Sequence, residues 1–247
     1  MASIFITGAS SGLGRGLALH YAKEGNTVYA AARRKDELDQ LAGEAPGIVA
    51  LRLDVQDTDA LVDAIHRAEE QSGGALDMVI ANAGIGQPTP ARKIDWAVVK
   101  KIMDVNVTAA CVTIAAALPA MIARDAGQVV AMSSLAAFRG MPGNASYCAS
   151  KAALHVWMES LRVDLRRTHV RATTIYPGFV KTSMTAKNKF PMPFLMELPQ
   201  AVKVITRGLA RGARTIAFPL PMAAVTRTLG ALPSSVYEPL AGRMRMF

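Results

Sequence analysis

Short apolar runs alternate with segments of helical periodicity through most of the chain. Runs rich in β-branched residues predict strands, and apolar positions that recur every three or four residues predict helices. The predicted strands cover residues 3–7, 27–32, 48–53, 76–81, 128–132, 171–176 and 215–218. The predicted helices cover residues 12–24, 35–42, 58–72, 96–124, 147–168 and 200–211.

The predicted strands are apolar with little alternation of polar residues, so we expect both of their faces to be buried. A parallel sheet joined by helical crossovers and covered by helices on both sides meets that requirement. The sequence therefore predicts an α/β fold with a doubly wound parallel sheet of the Rossmann type, in a single domain covering residues 1–247. Ligands of such sheets bind beyond the carboxyl ends of the strands, where we expect the functional site.

The rhythm of the pattern changes after Pro177-Gly178. Residues 181–198 are rich in Met, Phe and Pro, which predicts an irregular lid, and residues 220–232 are largely apolar but limited by prolines. No repeat, low-complexity tract or second domain is indicated. We assign residues 181–247 as a substrate lid followed by a basic C-terminal extension.

Composition narrows the class of protein. Of the 247 residues 51% are hydrophobic and 19% are charged, which allows a large buried core and excludes global disorder. Cys111 and Cys148 form no C-x-x-C pair, and the four histidines lack metal-ligand spacing, so we predict no disulfide framework and no metal, and favour the cytoplasm. Because no run approaches 18 uninterrupted apolar residues and the N-terminus lacks a signal pattern, we predict neither a spanning helix nor a signal peptide.

The net charge of +9 is concentrated near the C-terminus. From Lys181 onward ten Lys and Arg residues stand against two glutamates, which accounts for +8. Within the predicted helix 200–211, Lys203, Arg207 and Arg211 recur every four residues and share one face. This stripe predicts peripheral contact with an anionic membrane or an acidic carrier protein, unless it is only a solvated basic face. Nucleic acid is not predicted as a partner.

A glycine-rich turn connects the first predicted strand to the first predicted helix. Residues 7–14 read Thr-Gly-Ala-Ser-Ser-Gly-Leu-Gly. Glycines let backbone N–H groups approach a pyrophosphate, which also meets the positive end of the helix dipole. The turn therefore indicates nucleotide binding; a turn that merely needs small residues is the alternative.

The spacing of these glycines differs from the general G-x-G-x-x-G fingerprint. It resembles the T-G-x-x-x-G-x-G motif of the short-chain dehydrogenase/reductase family, whose further motifs follow in register over residues 3–183. They are Asp54-Val55, Asn82-Ala83-Gly84, Asn106, Ser133-Ser134, the segment from Tyr147 to Lys151, and Pro177-Gly178 with Thr182. Seven motifs in register over nearly three quarters of the chain make the resemblance specific.

The resemblance implies a nicotinamide dinucleotide cofactor. Asp54 is implied to contact the adenine, Asn82 to Gly84 to support the adenosine half, and Thr182 to hold the nicotinamide carboxamide. The implied cofactor-binding residues are Gly8, Ser10, Ser11, Gly12, Leu13, Gly14, Arg33, Arg34, Asp54, Val55, Asn82, Ala83, Gly84, Tyr147, Lys151, Pro177, Gly178, Val180 and Thr182.

The end of the second predicted strand distinguishes the two dinucleotides. Relatives that prefer NAD place an acid there, which binds the ribose 2′-hydroxyl. Here the position corresponds to Ala32, followed by Arg33 and Arg34. A guanidinium binds a 2′-phosphate in bidentate fashion, whereas a carboxylate repels it. The sequence therefore favours NADP(H), unless both arginines only begin a solvated helix.

Tyr147 and Lys151 lie four residues apart on a predicted helix and so share a face. A tyrosine titrates near 10, and an ammonium close by favours the phenolate by up to ~4 kcal/mol, which predicts a pKa near ~7. By the resemblance, Tyr147 exchanges the proton of the substrate oxygen and Ser134 orients that oxygen. Lys151 is also implied to hold the nicotinamide ribose, and Asn106 to anchor a water in the proton relay.

Two of these assignments have structural competitors. Ser133 adjoins Ser134 and is the residue most easily confused with it, although spacing favours Ser134. Asn106, a polar residue inside a long predicted helix, could simply satisfy a neighbouring backbone group.

The substrate is expected to contact residues 85–88, residues 135–146 and the lid. The apolar candidates are Phe138, Met141, Met184, Phe190, Met192, Phe194, Leu195 and Met196. Such a surface favours a hydrophobic ketone, aldehyde or secondary alcohol, unless these residues fill the core or subunit contacts. Relatives pair the helices that correspond to 96–124 and 147–168, so a homodimer or homotetramer is implied.

The sequence thus predicts an NADP(H)-dependent oxidoreductase that acts on a small hydrophobic substrate. Two alternatives stay open: a ketoacyl reductase for chains held by an acidic carrier protein, and a regulator that binds NADP(H) without turnover. The complete set of Asn106, Ser134, Tyr147 and Lys151 argues against the regulator, because a sensor needs no proton relay.

Overall fold

The computed structural model describes residues 1–187 and 191–243, and within these ranges seven strands form one sheet. The strands are β1 (Ser3–Thr7), β2 (Thr27–Ala32), β3 (Ile48–Arg52), β4 (Met78–Ala81), β5 (Gly127–Met132), β6 (Val170–Pro177) and β7 (Thr215–Phe218). The α-helices are α1 (Gly12–Lys23), α2 (Lys35–Glu44), α3 (Thr58–Ser72), α4 (Trp96–Met103), α5 (Ala109–Arg124), α6 (Ala145–Asp164), α7 (Leu198–Ala210), α8 (Leu220–Ala231) and α9 (Ser234–Gly242).

The sheet is parallel throughout, with the strand order β3-β2-β1-β4-β5-β6-β7. The order turns back between β1 and β4, so the chain leaves these two neighbouring strands towards opposite edges of the sheet. A crevice forms at such a point because the connecting segments diverge. The predicted doubly wound α/β fold is confirmed, and this switch point is where the candidate site lies.

Both faces of the sheet are buried, as the unbroken apolar runs require. Phe5 and Ile6 are consecutive in β1, both are fully buried, and they belong to two different hydrophobic clusters. Since successive strand side chains point to opposite faces, each cluster covers one side of the sheet. Helices α3, α5 and α6 complete the first cluster, and α1, α2 and α7 complete the second.

The long helix predicted over residues 96–124 contains a local irregularity. A π-helical turn, Asp104–Thr108, separates α4 from α5. π-Turns shift the helical register by one residue and are frequent at functional sites. The continuous run Trp96–Arg124 has the length and hydropathy to cross a bilayer. Here α5 packs against β4, β5 and α3 within the core, which explains its apolar character.

The C-terminal segment is more regular than predicted. Three of its prolines precede or begin two helices: Pro219 stands before α8, Pro221 lies in the first turn of α8, and Pro233 stands before α9, whereas Pro239 lies inside α9. Proline is tolerated in a first helical turn because the N–H it lacks would have no intrahelical partner there. Ala223 of α8 packs against Leu135 in a small third cluster, so this segment covers the loop that follows β5.

The basic stripe predicted on residues 200–211 matches the structure. Along α7 the positions predicted to face the body are buried, namely Val202, Ile205 and Leu209. Lys203, Arg207 and Arg211 are exposed on the opposite side.

Candidate active site

The turn after β1 adopts a conformation that depends on glycine. Gly8 and Gly12 have φ angles of +67° and +55°, in the left-handed region that glycine adopts without strain. A Cβ added to Gly14 would lie 2.4 Å from the Gly8 carbonyl oxygen and 2.4 Å from Asn82 Nδ2. The first turn of α1 therefore packs against the loop and β4 at a distance that excludes any side chain.

Asn82, directly after β4, fastens this loop to the neighbouring strand. Its Nδ2 donates to the carbonyl oxygens of Thr7 and Gly8, at 2.9 and 3.2 Å. In return the buried Thr7 hydroxyl accepts from the backbone N–H groups of Asn82 and Ala83, at 3.0 and 3.1 Å. Sequence reasoning quoted Thr7 within the loop motif but gave it no role; the structure shows that it locks the two strand ends together.

The N-terminus of α1 retains hydrogen-bond donors for a ligand. Its N-cap residue, Ser11, accepts no hydrogen bond from the first turn through its side chain, and that turn holds no acidic residue. In α3 and α4 the carboxylates of Asp57 and Asp95 accept such bonds. The N-terminus of α1 follows the glycine loop and can bind a phosphate group, since unpaired N–H donors and the helix dipole both favour an anion. The loop therefore fits a dinucleotide pyrophosphate.

Replacing Gly14 by alanine is expected to destabilise the fold, because the new methyl group would collide with backbone atoms that cannot move independently. Overpacking of this kind costs about 1–3 kcal/mol or more. Gly43, in α2, has nothing within 4 Å of its added Cβ, so Gly43→Ala is the matched control. We expect thermal unfolding to show a lower midpoint for Gly14→Ala and an unchanged or higher one for Gly43→Ala. Equal midpoints for the two variants would contradict the close approach.

The two arginines after β2 extend towards different parts of the site. Arg34 Nη2 donates to the buried Ser10 hydroxyl of the loop at 2.9 Å, and its Nη1 lies 3.1 Å from the Glu37 carboxylate. Arg33 Nη1 lies 3.8 Å from Asp54. Both guanidinium groups are about half exposed, which leaves donors free for an anion. Arg34 is therefore the one that contacts the phosphate loop itself.

Three further residues implied for cofactor binding border the same crevice, two of them through the backbone and one through its side chain. The side chains of Val55 and Val180 are buried in the two core clusters, so only their backbones can face a ligand. The Thr182 side chain reaches the glycine loop, since a Cβ added to Gly12 would lie 3.3 Å from Thr182 Cγ2. Its backbone N–H donates to the Thr185 hydroxyl at 3.0 Å, which fixes the first residues of the lid.

Tyr147, near the start of α6, lies beside Ser134 at the end of β5. Burial raises the pKa of Tyr147, and the facing Ser134 hydroxyl opposes the rise. Ser134 Oγ donates to the Pro177 carbonyl oxygen at 3.4 Å and accepts from the Ala136 N–H at 3.1 Å, which orients it. Gly86 lies close to the phenol, since a Cβ added to it would lie 3.7 Å from the Tyr147 ring and 3.9 Å from Met184 Sδ. Because glycine has no side chain, the passage to the phenol between these residues stays open.

The predicted fall in the pKa of Tyr147 is wrong for the ligand-free protein. Lys151 Nζ lies 5.9 Å from the centre of the Tyr147 ring and donates to the Met132 carbonyl oxygen at 2.8 Å. Burial lowers the pKa of Lys151 to about 8, because a desolvated ammonium is disfavoured. The expectation took the lysine as a fully charged neighbour at close range, whereas burial raises the pKa of the phenol and lowers that of the amine.

The Asn106 side chain, in the π-turn, is fully buried and held by its neighbours. Its Oδ1 accepts from the Ile85 N–H at 2.8 Å, and its Nδ2 donates to the Ile85 carbonyl and the Ser150 hydroxyl at 2.9 and 3.0 Å. The structural role considered from sequence is thus present. A Cβ on Gly84 would lie 3.4 Å from both Asn106 Oδ1 and Lys151 Nζ, so both atoms border the same space. Oδ1 keeps a second lone pair, with which it can also accept from a water there.

The structure distinguishes Ser133 from Ser134, and it distinguishes apolar candidates that pack in the core from those exposed on the lid. Ser133 is buried and donates to the Lys151 backbone carbonyl at 2.9 Å, so it braces α6, whereas Ser134 faces Tyr147. Among the apolar candidates, Phe138 packs against the Tyr176 ring with centroids 5.1 Å apart and serves the core. Met184, Phe194 and Leu195 are exposed on the lid. Phe190 lies outside the described residues.

Comparisons with known proteins agree with this geometry. The family model of the short chain dehydrogenases matches residues 2–191. An uncharacterized oxidoreductase of Myxococcus xanthus is 49% identical, over 97% of this chain and 96% of that protein. An uncharacterized oxidoreductase of Mycobacterium tuberculosis is 34% identical, over 93% of each chain. A short chain dehydrogenase of Burkholderia cenocepacia, solved in complex with NADP, superimposes with a TM-score of 0.84 at 26% identity and 97% coverage of both chains.

Proposed function

This chain belongs to the short-chain dehydrogenase/reductase family of oxidoreductases, and on that premise we propose that it uses NADP(H) to reduce a hydrophobic ketone or aldehyde, or to oxidise the corresponding secondary alcohol. The observation that carries the proposal is the juxtaposition of the Tyr147 and Ser134 hydroxyls with the buried amine of Lys151, whose Nζ lies 5.9 Å from the centre of the Tyr147 ring. This group lies at the same edge of the sheet as the glycine loop.

The dinucleotide would lie along that edge. The N–H groups at the start of α1 would hold its pyrophosphate, Asp54 and Asn82 would lie on the adenosine side, and Lys151 and Thr182 on the nicotinamide side. When bound, the cofactor supplies or accepts the hydride. The NADP complex of the Burkholderia relative and the two arginines after β2 both favour NADP(H) over NAD(H).

Proton transfer would fall to Tyr147. Its raised pKa keeps the phenol protonated, and the protonated form is the one that can give a proton to a carbonyl oxygen. Ser134 would donate a hydrogen bond to the same oxygen and fix its position. Lys151 uses one N–H on the Met132 carbonyl and keeps two, so it can pass a proton between Tyr147 and a water beside Asn106.

A turnover assay with NADPH and a panel of hydrophobic ketones and aldehydes tests the proposal directly. We expect consumption of NADPH that depends on the carbonyl compound and is absent with the matching hydrocarbons. Binding of NADPH without turnover of any member would favour the alternative of a redox-sensing regulator. Turnover restricted to acyl chains on a carrier protein would favour the ketoacyl reductase.

Arg34→Ala is expected to weaken NADPH binding by roughly 10- to 150-fold and to leave NADH nearly unchanged, because a charge-assisted hydrogen bond to the 2′-phosphate is lost. Arg33 faces Asp54 instead, so Arg33→Ala should change the preference less. Fluorescence titration of both cofactors against each variant measures these constants.

The control for the arginine variants is Arg67→Ala, which removes an equal charge from the exposed face of α3. It should leave both affinities unchanged. Equal losses of NADPH and NADH affinity in Arg34→Ala would remove Arg34 from the phosphate site.

Self-association of the chain and its cytoplasmic location stay predictions. Exposed apolar side chains on the outer faces of the long helices and just before α4 favour a homodimer or homotetramer. They are Ile94, Trp96, Ile122, Val156 and Val163. The exposed lid residues Met184, Phe194 and Leu195 favour a hydrophobic substrate in the same way.

A further inference from the structure

A second cleft lies at the amino-terminal ends of the strands, at the opposite end of the sheet from the candidate active site. Its volume is about 450 Å³, and it lies between α1 and α7. Met78, Gln128 and Arg171, from the first residues of β4, β5 and β6, line it from the sheet. No residue assigned to the active site contributes to it.

The cleft is positively charged. Lys203, Arg207 and Arg171 line it, and none of the three is paired with a carboxylate among residues 1–187 and 191–243. Glu24, the acid in its lining, lies 3.2 Å from His20. The helix dipole favours Arg207, in the last turn of α7, and Arg171, whose Nη1 lies beside Gly212 just beyond that helix, but not Lys203. Three unpaired cations converging on one concave surface therefore favour an anionic ligand.

Gln128 forms the floor of the cleft. It is 1% exposed, and its Nε2 donates to the Thr173 hydroxyl at 3.0 Å. Its Oε1 is buried and has no hydrogen-bond partner among the described residues. Because this oxygen has no accessible surface, a ligand in the cleft cannot donate to it, and Gln128 serves as part of the cleft floor.

We propose that this cleft binds a phosphate ester, with the phosphate against Lys203, Arg207 and Arg171. A phosphate carries up to two negative charges at neutral pH, which suits three cations better than one carboxylate does. The volume exceeds that of inorganic phosphate, and the apolar sides of Tyr21 and Leu209 leave room for a sugar-sized group.

Calorimetric titration of the full-length protein tests the assignment, with saturating NADPH present so that the phosphate loop is occupied. The probes are glucose 6-phosphate, glucose and inorganic phosphate. We expect glucose 6-phosphate to bind most tightly and glucose not at all. Arg207→Gln and Lys203→Gln should each weaken glucose 6-phosphate by about ten-fold or more.

Arg211→Gln is the matched control, because it removes the same charge one turn further along α7 from a residue outside the cleft lining. It should leave the affinity unchanged. Absence of saturable glucose 6-phosphate binding in every arm, or an equal loss in Arg211→Gln, overturns the site. Since the readout is binding, a failure of the proposed oxidoreductase activity leaves this result unaffected.

A lipid headgroup presents the same chemistry, so a second arm uses phosphatidylcholine vesicles with and without phosphatidylinositol 4-phosphate. Co-sedimentation that is lost in Arg207→Gln but kept in Arg211→Gln would assign the ester to a lipid. Co-sedimentation that depends equally on both residues would reflect the charged surface of α7 and would overturn the cleft as a specific site.

Discussion

Replacement of Tyr147 by phenylalanine is expected to lower turnover about 10²- to 10⁴-fold, the range that a positioned general acid contributes, and to leave NADPH affinity nearly unchanged. The variant removes only the hydroxyl that faces Ser134. The ring, which borders the passage beside Gly86, remains. Steady-state kinetics with the best carbonyl of the panel, together with a cofactor titration, separate the two effects.

Tyr29→Phe is the matched control for this variant. Tyr29 is also a buried tyrosine, but it lies in β2 within the core, where none of the described hydrogen bonds involves its hydroxyl. Its loss should leave turnover unchanged. If Tyr147→Phe kept more than a small fraction of the activity while Tyr29→Phe behaved like the parent protein, another group would have to supply the proton.

Much of the fold could be predicted because the signals lie in local sequence. Strands β1, β2 and β7 have the predicted bounds, since apolar β-branched runs bounded by turn residues leave few other options. The C-terminal helices were missed because Pro219 and Pro233 directly precede them and Pro221 lies in a first turn, all places where proline is compatible with a helix, and because Pro239 is accommodated inside α9. Nothing local distinguishes a proline that begins a helix from one that ends it.

The convergence of the site residues also follows from topology. Motifs that come directly after β1, β4 and β5 must meet at one edge of a parallel sheet, and the side chains of Asn82 and Ser134 do lie there. The partners of these residues could not be predicted. Asn106 bonds the Ile85 backbone and Lys151 the Met132 carbonyl, and backbone groups carry no sequence signature. Their positions depend on the packing of the whole chain.

The charge state of Lys151 shows the same limit in energetic terms. Spacing alone places an ammonium near a phenol, which predicts mutual stabilisation of the charged forms. Burial instead favours the neutral form of both groups, since a desolvated charge is disfavoured. The extent of burial is a property of the folded chain, so the sign of the two pKa shifts became apparent only from the structure.

The buried Lys151 is therefore expected to make the ligand-free protein more stable as the pH rises from 7 to 10. Its pKa is about 8 in the folded state and returns to the ordinary value of 10.5 on unfolding. Between these values the unfolded chain binds more protons, and stability rises with pH wherever that holds. Relative to Lys151→Met, the wild-type free energy of unfolding should gain roughly 2 kcal/mol over this range.

Urea unfolding of both proteins at pH 7, 8, 9 and 10 measures that difference, and using the variant as reference removes the contributions of other titrating groups. Lys23→Met, at an exposed lysine in the last turn of α1, should show a constant difference from wild type. Lys151→Met should also lose both NADPH affinity and turnover, unlike Tyr147→Phe, because the same amine would hold the cofactor ribose and relay the proton. A wild-type advantage that stays constant from pH 7 to 10 would mean that the amine is not desolvated in solution, and the proton relay drawn through Lys151 would then lack its physical basis.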